Sequence, residues 1–166
     1  RLAADSKLRE SVVISNPLGE DTSVMRTTSL PSMLEILTRN CNFNNENVRL
    51  FEIATVYLPT GKDTLPNENK TLVAGMYGDG DFFTMKGVVE EICDKLGFGD
   101  SCSYEPTSEQ PFLHPGRQAY VKKGSLEIGY IGQLHPEVGD NYGIKGEVYL
   151  AVLDMETVTM LSTFDR

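Results

Sequence analysis

Residues 118–134 constrain the fold more than any other part of the chain. Two runs rich in β-forming residues, 118–122 and 126–134, flank the connection Lys123-Gly124-Ser125. A short glycine-containing connection between two such runs is typical of a β-hairpin. The chain therefore contains antiparallel sheet, and the rest of the sequence has to be compatible with it.

Two segments show the spacing of amphipathic helices. The first is predicted to begin at Thr28-Ser29-Leu30-Pro31, where hydroxyl side chains precede a proline in the first turn. Its apolar positions recur every three or four residues: Leu30, Met33, Leu34, Leu37 and Cys41. The second is predicted to be capped by Thr84 and to stop at Gly97-Phe98. Its apolar face consists of Met85, Val88, Val89, Ile92 and Leu96.

Other segments have the composition of strands. These are the short run 12–14 and the longer runs 48–58, 72–77 and 147–153, with a loop predicted over 60–70 and one helical turn over 137–142. Hairpins are more evident than βαβ crossovers. The predicted fold class is therefore α+β, an antiparallel sheet of about six strands flanked by helices, in a single domain spanning residues 1–166.

The charge balance disfavours contact with nucleic acid. Twenty-four acidic residues against fifteen basic ones give a formal net charge of −9, which repels phosphate backbones. The local basic clusters, Lys7 with Arg9 and Lys122 with Lys123, are not interleaved with aromatic residues.

The cysteines indicate the cellular compartment, and the chain ends indicate whether the sequence is part of a longer chain. Cys41, Cys93 and Cys102 are odd in number and lack metal-type spacing, which favours reduced thiols in a cytoplasmic protein. We find no signal peptide and no apolar run of membrane-spanning length. The chain opens without methionine and ends in the middle of a pattern, so we expect it to be a piece excised from a longer one.

Motifs that could carry chemistry are weak. His114 and His135 both precede proline, and neither has cysteines or carboxylates at metal-ligand spacing. A catalytic role would require a positioned serine or cysteine, so two rigid turns are the simpler hypothesis. Gly78-Asp79-Gly80-Asp81 lacks the rest of a calcium loop. Gly129-Tyr130-Ile131-Gly132 lacks the third glycine of a dinucleotide fingerprint.

The sequence His114-Pro115-Gly116-Arg117 has the most specific pattern. Proline and glycine fix the backbone there, while Arg117 could bind a carboxylate through two hydrogen bonds. His114 and His135 are nearly equidistant from Gly124, so we predict that the two His-Pro dipeptides meet at the open end of the hairpin, where the prolines end the pairing. Arg117 is predicted to contact a nearby carboxylate or carbonyl. We therefore predict no catalytic, cofactor-binding or metal-binding residues in this chain.

Several segments together resemble the beta subunit of bacterial phenylalanine–tRNA ligases. They occur in the order of that family and span about residues 12–155: NPLGEDTSVMRT at 16–27, LP at 30–31, VRLFEI at 48–53, DFFTMKGVVE at 81–90, HPGR at 114–117 and IGQLHPE at 131–137.

The resemblance implies the catalytic-like module of that subunit, with the antiparallel fold of class II synthetases but without amino-acid activation. The full enzyme is expected to be an α2β2 assembly with an alpha subunit, to attach phenylalanine to tRNA and to use ATP and magnesium. This module is expected to be a structural and assembly domain with little or no nucleic-acid contact. The first class II motif is expected upstream of Arg1.

The residues at the other two class II motifs agree with lost catalysis. Active enzymes of the class carry an arginine for the ATP α-phosphate after the strand that resembles 48–58, and here Val56-Tyr57 is followed by Leu58-Pro59. The third motif should carry a glycine-rich strand and an arginine. The stretch 150–155 has neither, and Asp154 and Glu156 would repel a triphosphate.

Two alternatives remain from the sequence. One is a free-standing class II-like ATP-dependent ligase, and the other is a module that contacts tRNA directly.

Overall fold

The computed structural model describes residues 2–61 and 64–163, which form four α-helices and six strands. The elements in chain order are α1 Leu30–Asn42, β1 Val48–Leu58, β2 Asn67–Tyr77, α2 Phe82–Lys95, β3 Cys102–Pro106, β4 Leu113–Lys123, β5 Leu126–Leu134, α3 Pro136–Tyr142, β6 Val148–Asp154 and α4 Met155–Leu161.

One antiparallel sheet organises the described part of the chain. Its strand order is β1-β2-β6-β5-β4-β3. In this order β1 pairs with β2, β3 and β5 both pair with β4, and β6 inserts between β2 and β5. Val152 of β6 lies opposite Val73 on one side and Tyr130 on the other. This central position explains why residues 148–153 form an apolar run, since both faces of β6 are covered.

Two apolar cores lie on opposite faces of the sheet. The α1 side contains Met33, Leu37 and Leu150 with residues of α3, and the α2 side contains Val89, Ile131 and Leu153 with residues of α4. Gly75 of β2 permits the close approach of α1, because a Cβ there would lie 3.0 Å from side-chain atoms of Leu37 and Met33.

The helix predictions are largely confirmed. Leu30, Met33, Leu34 and Leu37 are buried, and Cys41 packs half-buried against the same core. The α2 helix ends before Gly97, whose φ of +82° is left-handed, and Phe98 folds back into the core with 3% exposure.

The predicted cap of α2 was wrong. Asp81 is the N-cap, and its carboxylate accepts hydrogen bonds from both the backbone and the hydroxyl of Thr84. Thr84 occupies the third helical position and its hydroxyl accepts the N–H of Asp81 in return. The helix therefore begins at Phe82, three residues earlier than a cap at Thr84 would place it.

Three strand predictions also require correction. Asn67–Lys70, predicted as loop, extends β2 along the whole of β1, with Glu68 opposite Tyr57; residues 62 and 63 of that loop lie outside the described residues. Val12-Val13-Ile14 stays out of the sheet and forms one bridge, Val13 to Val24. The sixth strand is instead β3, which pairs along the edge of β4. The short helix α4 was not predicted.

The hairpin of β4 and β5 is longer and less regular than its sequence indicates. Leu113 pairs with Leu134, but the next pair is Gln118 with Gly132, so residues 114–117 bulge out of the ladder. Pairing even continues past Leu113, since His135 donates its N–H to the carbonyl of Phe112 at 2.9 Å. Pro115 therefore interrupts the pairing and does not end it.

Candidate functional site

The segments expected to correspond to the second and third class II motifs lie in apolar parts of the sheet. Val56, at the end of β1, is 5% exposed, and Leu150, Ala151 and Leu153 of β6 are completely buried. Side chains of this kind fill the core of the sheet and offer no charge to a phosphate group.

An arginine does lie beside the end of β1, but it comes from the preceding segment and is used internally. Arg26 donates through Nε to the carbonyl of Thr55 at 2.9 Å and pairs with Glu52 at 3.1 Å. Its own carbonyl accepts the N–H of Tyr57 at 2.8 Å. Arg26 therefore fastens the N-terminal segment to the edge of β1.

Asp154 has a structural contact in this region. Its carboxylate accepts the backbone N–H of Thr157 at 2.8 Å and the hydroxyl of Thr157 at 2.5 Å, which makes it the N-cap of α4. Glu156 follows in the first turn of the same helix, where a negative charge is favourable to the helix dipole.

Both histidines begin local turns, in agreement with the simpler hypothesis. Nδ1 of His114 accepts the N–H of Gly116 at 3.1 Å, and Nδ1 of His135 accepts the N–H of Glu137 at 3.2 Å. Each histidine follows one member of the Leu113–Leu134 pair, so both lie near the open end of the hairpin. They are not opposite each other in the ladder, because residues 114–117 bulge out of it after Leu113.

Arg117 makes the predicted contact with a carboxylate. Its Nη1 donates to Oε1 of Glu147 at 3.0 Å and to Oε1 of the buried Gln133 at 2.6 Å. Tyr149 donates its hydroxyl to Oε2 of Glu147 at 2.6 Å. The network joins β4, β5 and the residues leading into β6. Gln133 and Tyr149 were not anticipated, because their convergence depends on the strand order.

The electrostatics of this network favour the charged form of Glu147. The hydrogen bond from Tyr149 and then that from Arg117 lower the pKa of Glu147. Burial, together with the hydrogen bond to Glu147, raises the pKa of Tyr149 to about 12. Glu147 is therefore an anion and Tyr149 a neutral hydroxyl near neutral pH.

The network borders an open cleft of about 590 Å³ between β4 and the start of α2. The other charged residues of this cleft also have internal partners. Lys86 pairs with Glu90 and lies 4.4 Å from the centre of the Tyr104 ring, and Asp81 caps α2. A ligand entering the cleft would have to compete for each of these charges.

The other candidates from the sequence lie in turns or strands. Gly78 and Gly80 have φ values of +97° and +112° in the tight connection before α2, as a turn requires. Gly129-Tyr130-Ile131-Gly132 lies within β5. In residues 2–61 and 64–163, no three His, Cys, Asp or Glu residues are grouped closely enough to hold a metal ion. Over the same ranges, no helix is both long and apolar enough to span a membrane.

Large apolar side chains are exposed on β1 and at the start of α2. Phe51 and Ile53 of β1 are 74% and 54% exposed, and Phe83 at the start of α2 is 72% exposed. Where exposed apolar residues adjoin one another, they are typical of surfaces that contact another chain or module; Phe51 and Ile53 lie two residues apart on β1.

The fold is that of a class II synthetase-type core. A solved structure of pyrrolysyl-tRNA synthetase from Desulfitobacterium hafniense superposes with a TM-score of 0.74, covering 96% of this chain and 56% of that one at 17% identity. A second structure of a pyrrolysyl-tRNA synthetase from the same organism gives a TM-score of 0.73. At this identity the likeness shows the fold.

The sequence comparisons identify the family. The model of the phenylalanyl tRNA synthetase beta chain CLM domain matches residues 1–155. The phenylalanine–tRNA ligase beta subunits of Clostridium acetobutylicum and Clostridium tetani are 46% and 44% identical over 92% and 93% of this chain. The chain belongs to this family, and it spans about a fifth of the length of these relatives, 19% and 20%.

Proposed function

We propose that this chain is a non-catalytic assembly domain of a phenylalanine–tRNA ligase beta subunit. The full enzyme is an α2β2 complex with an alpha subunit that attaches phenylalanine to tRNA in the cytoplasm, using ATP and magnesium. In this proposal the domain contains no catalytic, cofactor-binding or metal-binding residue. It contributes a rigid sheet and an exposed apolar surface to the assembly.

The proposal rests on one observation. The basic side chains near the expected class II motif segments and the cleft are already paired with acidic groups of this chain. Arg26 is bound to Thr55 and Glu52, Arg117 to Glu147, and Lys86 to Glu90. Attack on the α-phosphate of ATP develops negative charge, and stabilising that charge requires cations directed at it. Cations that are already paired supply less of that stabilisation, and the net charge of −9 opposes a triphosphate further.

The same pairing argues against direct tRNA contact by this domain. Lys122, one of the clustered basic residues, pairs with Glu105 at 2.5 Å, and Arg49 pairs with Asp79 at 3.3 Å. Binding to nucleic acid depends mainly on basic groups that neutralise phosphates. In the proposal, tRNA is therefore bound by other parts of the full enzyme.

The cleft between β4 and α2 favours one second candidate. A cavity of about 590 Å³ is within the size range of small-molecule sites, so a free-standing ligase with a displaced substrate site is the alternative. That function would require activity from the chain without an alpha subunit.

Phenylalanine-dependent ATP–pyrophosphate exchange distinguishes the two candidates. The assay compares the beta chain alone, the alpha subunit alone and the co-expressed complex. We expect exchange from the complex and only background from the beta chain. Arg117→Ala in the complex should leave the exchange rate within about 2-fold of wild type, because it removes a structural contact. Exchange by the beta chain alone, abolished by Arg117→Ala, would instead establish the free-standing ligase.

A further inference from the structure

A small β-hairpin precedes α1 in the chain. It comprises residues 12–25, whose two arms meet at the Val13–Val24 bridge. Two backbone hydrogen bonds of 2.8 Å flank this bridge, from Ile14 to Ser23 and from Met25 to Val12. Val13 and Val24 are thus a non-hydrogen-bonded antiparallel pair, in which the side chains lie closest together.

The outer face of this 12–25 hairpin is apolar and uncovered. Val13 and Val24 are 69% and 53% exposed, and Leu18 at the tip is fully exposed at 104%. Val12 and Ile14, which point the other way, are partly buried. A hairpin with one solvated face ordinarily alternates apolar and polar residues, whereas Val12-Val13-Ile14 is apolar on both faces. The first arm of the hairpin therefore has the composition of a strand covered on both sides.

The charge of the tip restricts what can cover it. Glu20 and Asp21 form a single 3-10 turn beside Leu18 and are exposed. A nucleic acid would be repelled by these carboxylates. A second copy of the hairpin would place like charges opposite each other, which is destabilising. A protein groove with an apolar floor and a basic rim fits both the valine pair and the acidic tip.

We propose that the outer face of the 12–25 hairpin docks into an apolar, basic-rimmed groove of the alpha subunit. This inference rests on the proposed assembly function and specifies one of its contacts. Leu18 enters the floor of the groove, Val13 and Val24 line the contact, and Glu20 and Asp21 meet the basic rim.

Binding of the full-length beta chain to purified alpha subunit tests the proposal. Leu18→Ser should weaken binding by about 10- to 100-fold, as expected for losing a buried leucine side chain. The double variant Val13→Thr/Val24→Thr keeps β-branched residues in the ladder and should also weaken binding. Leu65→Ser is the matched control, because Leu65 is 89% exposed in the β1–β2 loop and should leave binding unchanged.

The charge variant Glu20→Gln/Asp21→Asn provides a second, independent measurement. It should slow association and reduce its dependence on salt, since rim charges act mainly on the association rate. Thermal unfolding of each beta-chain variant shows whether the fold is retained. If the apolar variant fails to fold, the charge variant decides the question by its salt dependence.

The opposing outcomes are distinct. Wild-type binding by all the hairpin variants, or equal weakening by Leu18→Ser and Leu65→Ser, would reject the docking of the hairpin while leaving the assembly function standing. Slow amide exchange at Val13 and Val24 in the isolated beta chain would show that its own remaining modules cover the hairpin, and would also reject the proposal. If the wild-type beta chain binds no alpha subunit, the assembly function itself is wrong.

Discussion

Replacing Gly129 by alanine should strongly destabilise the chain, although both residues are small. Gly129 lies in β5, where this strand pairs with β6, and is opposite Leu153. A Cβ at this position would lie 2.0 Å from the carbonyl oxygen of Val152 and 2.9 Å from Cα of Leu153. Both are backbone atoms of a central strand, so they cannot rotate away as a flexible side chain would.

The magnitude follows from this geometry. Overpacking a well-packed interior costs about 1–3 kcal/mol, whereas alanine recovers about 0.4–1 kcal/mol by restricting the unfolded chain. Because the obstructing atoms belong to paired backbone, we expect the upper end, a net loss of about 2–3 kcal/mol. For a domain of this size, each kcal/mol corresponds to about 2–4 °C in the melting temperature.

Urea unfolding followed by circular dichroism measures the loss, and Gly87→Ala is the matched control. Gly87 lies within α2 and a Cβ there would meet nothing within 4 Å. Alanine should therefore stabilise the chain at this position by about 0.5–1 kcal/mol. Equal effects of the two substitutions, or an unchanged stability for Gly129→Ala, would refute the inferred contact between β5 and β6.

Three further predictions concern the core, a cap and pH. Leu37→Ala should cost about 2–5 kcal/mol in urea unfolding, because Leu37 is completely buried between α1 and the sheet; a loss below about 1 kcal/mol would contradict that packing. Asp154→Ala should cost about 1 kcal/mol through loss of the α4 cap, and Asp154→Asn should restore most of it. The lowered pKa of Glu147 means that its contribution to stability is present above the unfolded pKa and disappears as the pH falls through the folded value. Arg117→Ala should make unfolding less sensitive to acid below about pH 4, and an identical pH profile would exclude the contact.

The parts of the fold that follow from local pattern could be predicted from the sequence. The periodicity of α1, the β-branched and aromatic composition of β1 and the glycine turn between β4 and β5 each depend on a few consecutive residues. The polar stretch Asn67–Lys70 was assigned to a loop because its strand character comes from pairing with β1. In such cases tertiary pairing overrides composition.

The sequence predicted single contacts of the site but did not predict which residues of different strands come together there. The contact of Arg117 with a carboxylate followed from its position after a rigid turn. Its partners, Gln133 and Glu147, depend on the insertion of β6 beside β5, which no local pattern encodes. The bulge at residues 114–117 was missed for a related reason. The side chain of Gln118 stabilises the segment by donating to the carbonyls of Gln110 and His114, and such contacts are not visible as periodicity.

The insertion of β6 also determines when the sheet can be completed during synthesis. Of the six strands, β6 emerges last from the ribosome but occupies a central place, between β2 and β5. Until residues 148–154 are available, the β1–β2 and β3–β4–β5 pieces have no strand to join them, and each has an unpaired inner edge. Edges of this kind readily pair with other chains. A nascent chain stalled before β6 should therefore be more prone to aggregation than one stalled after it.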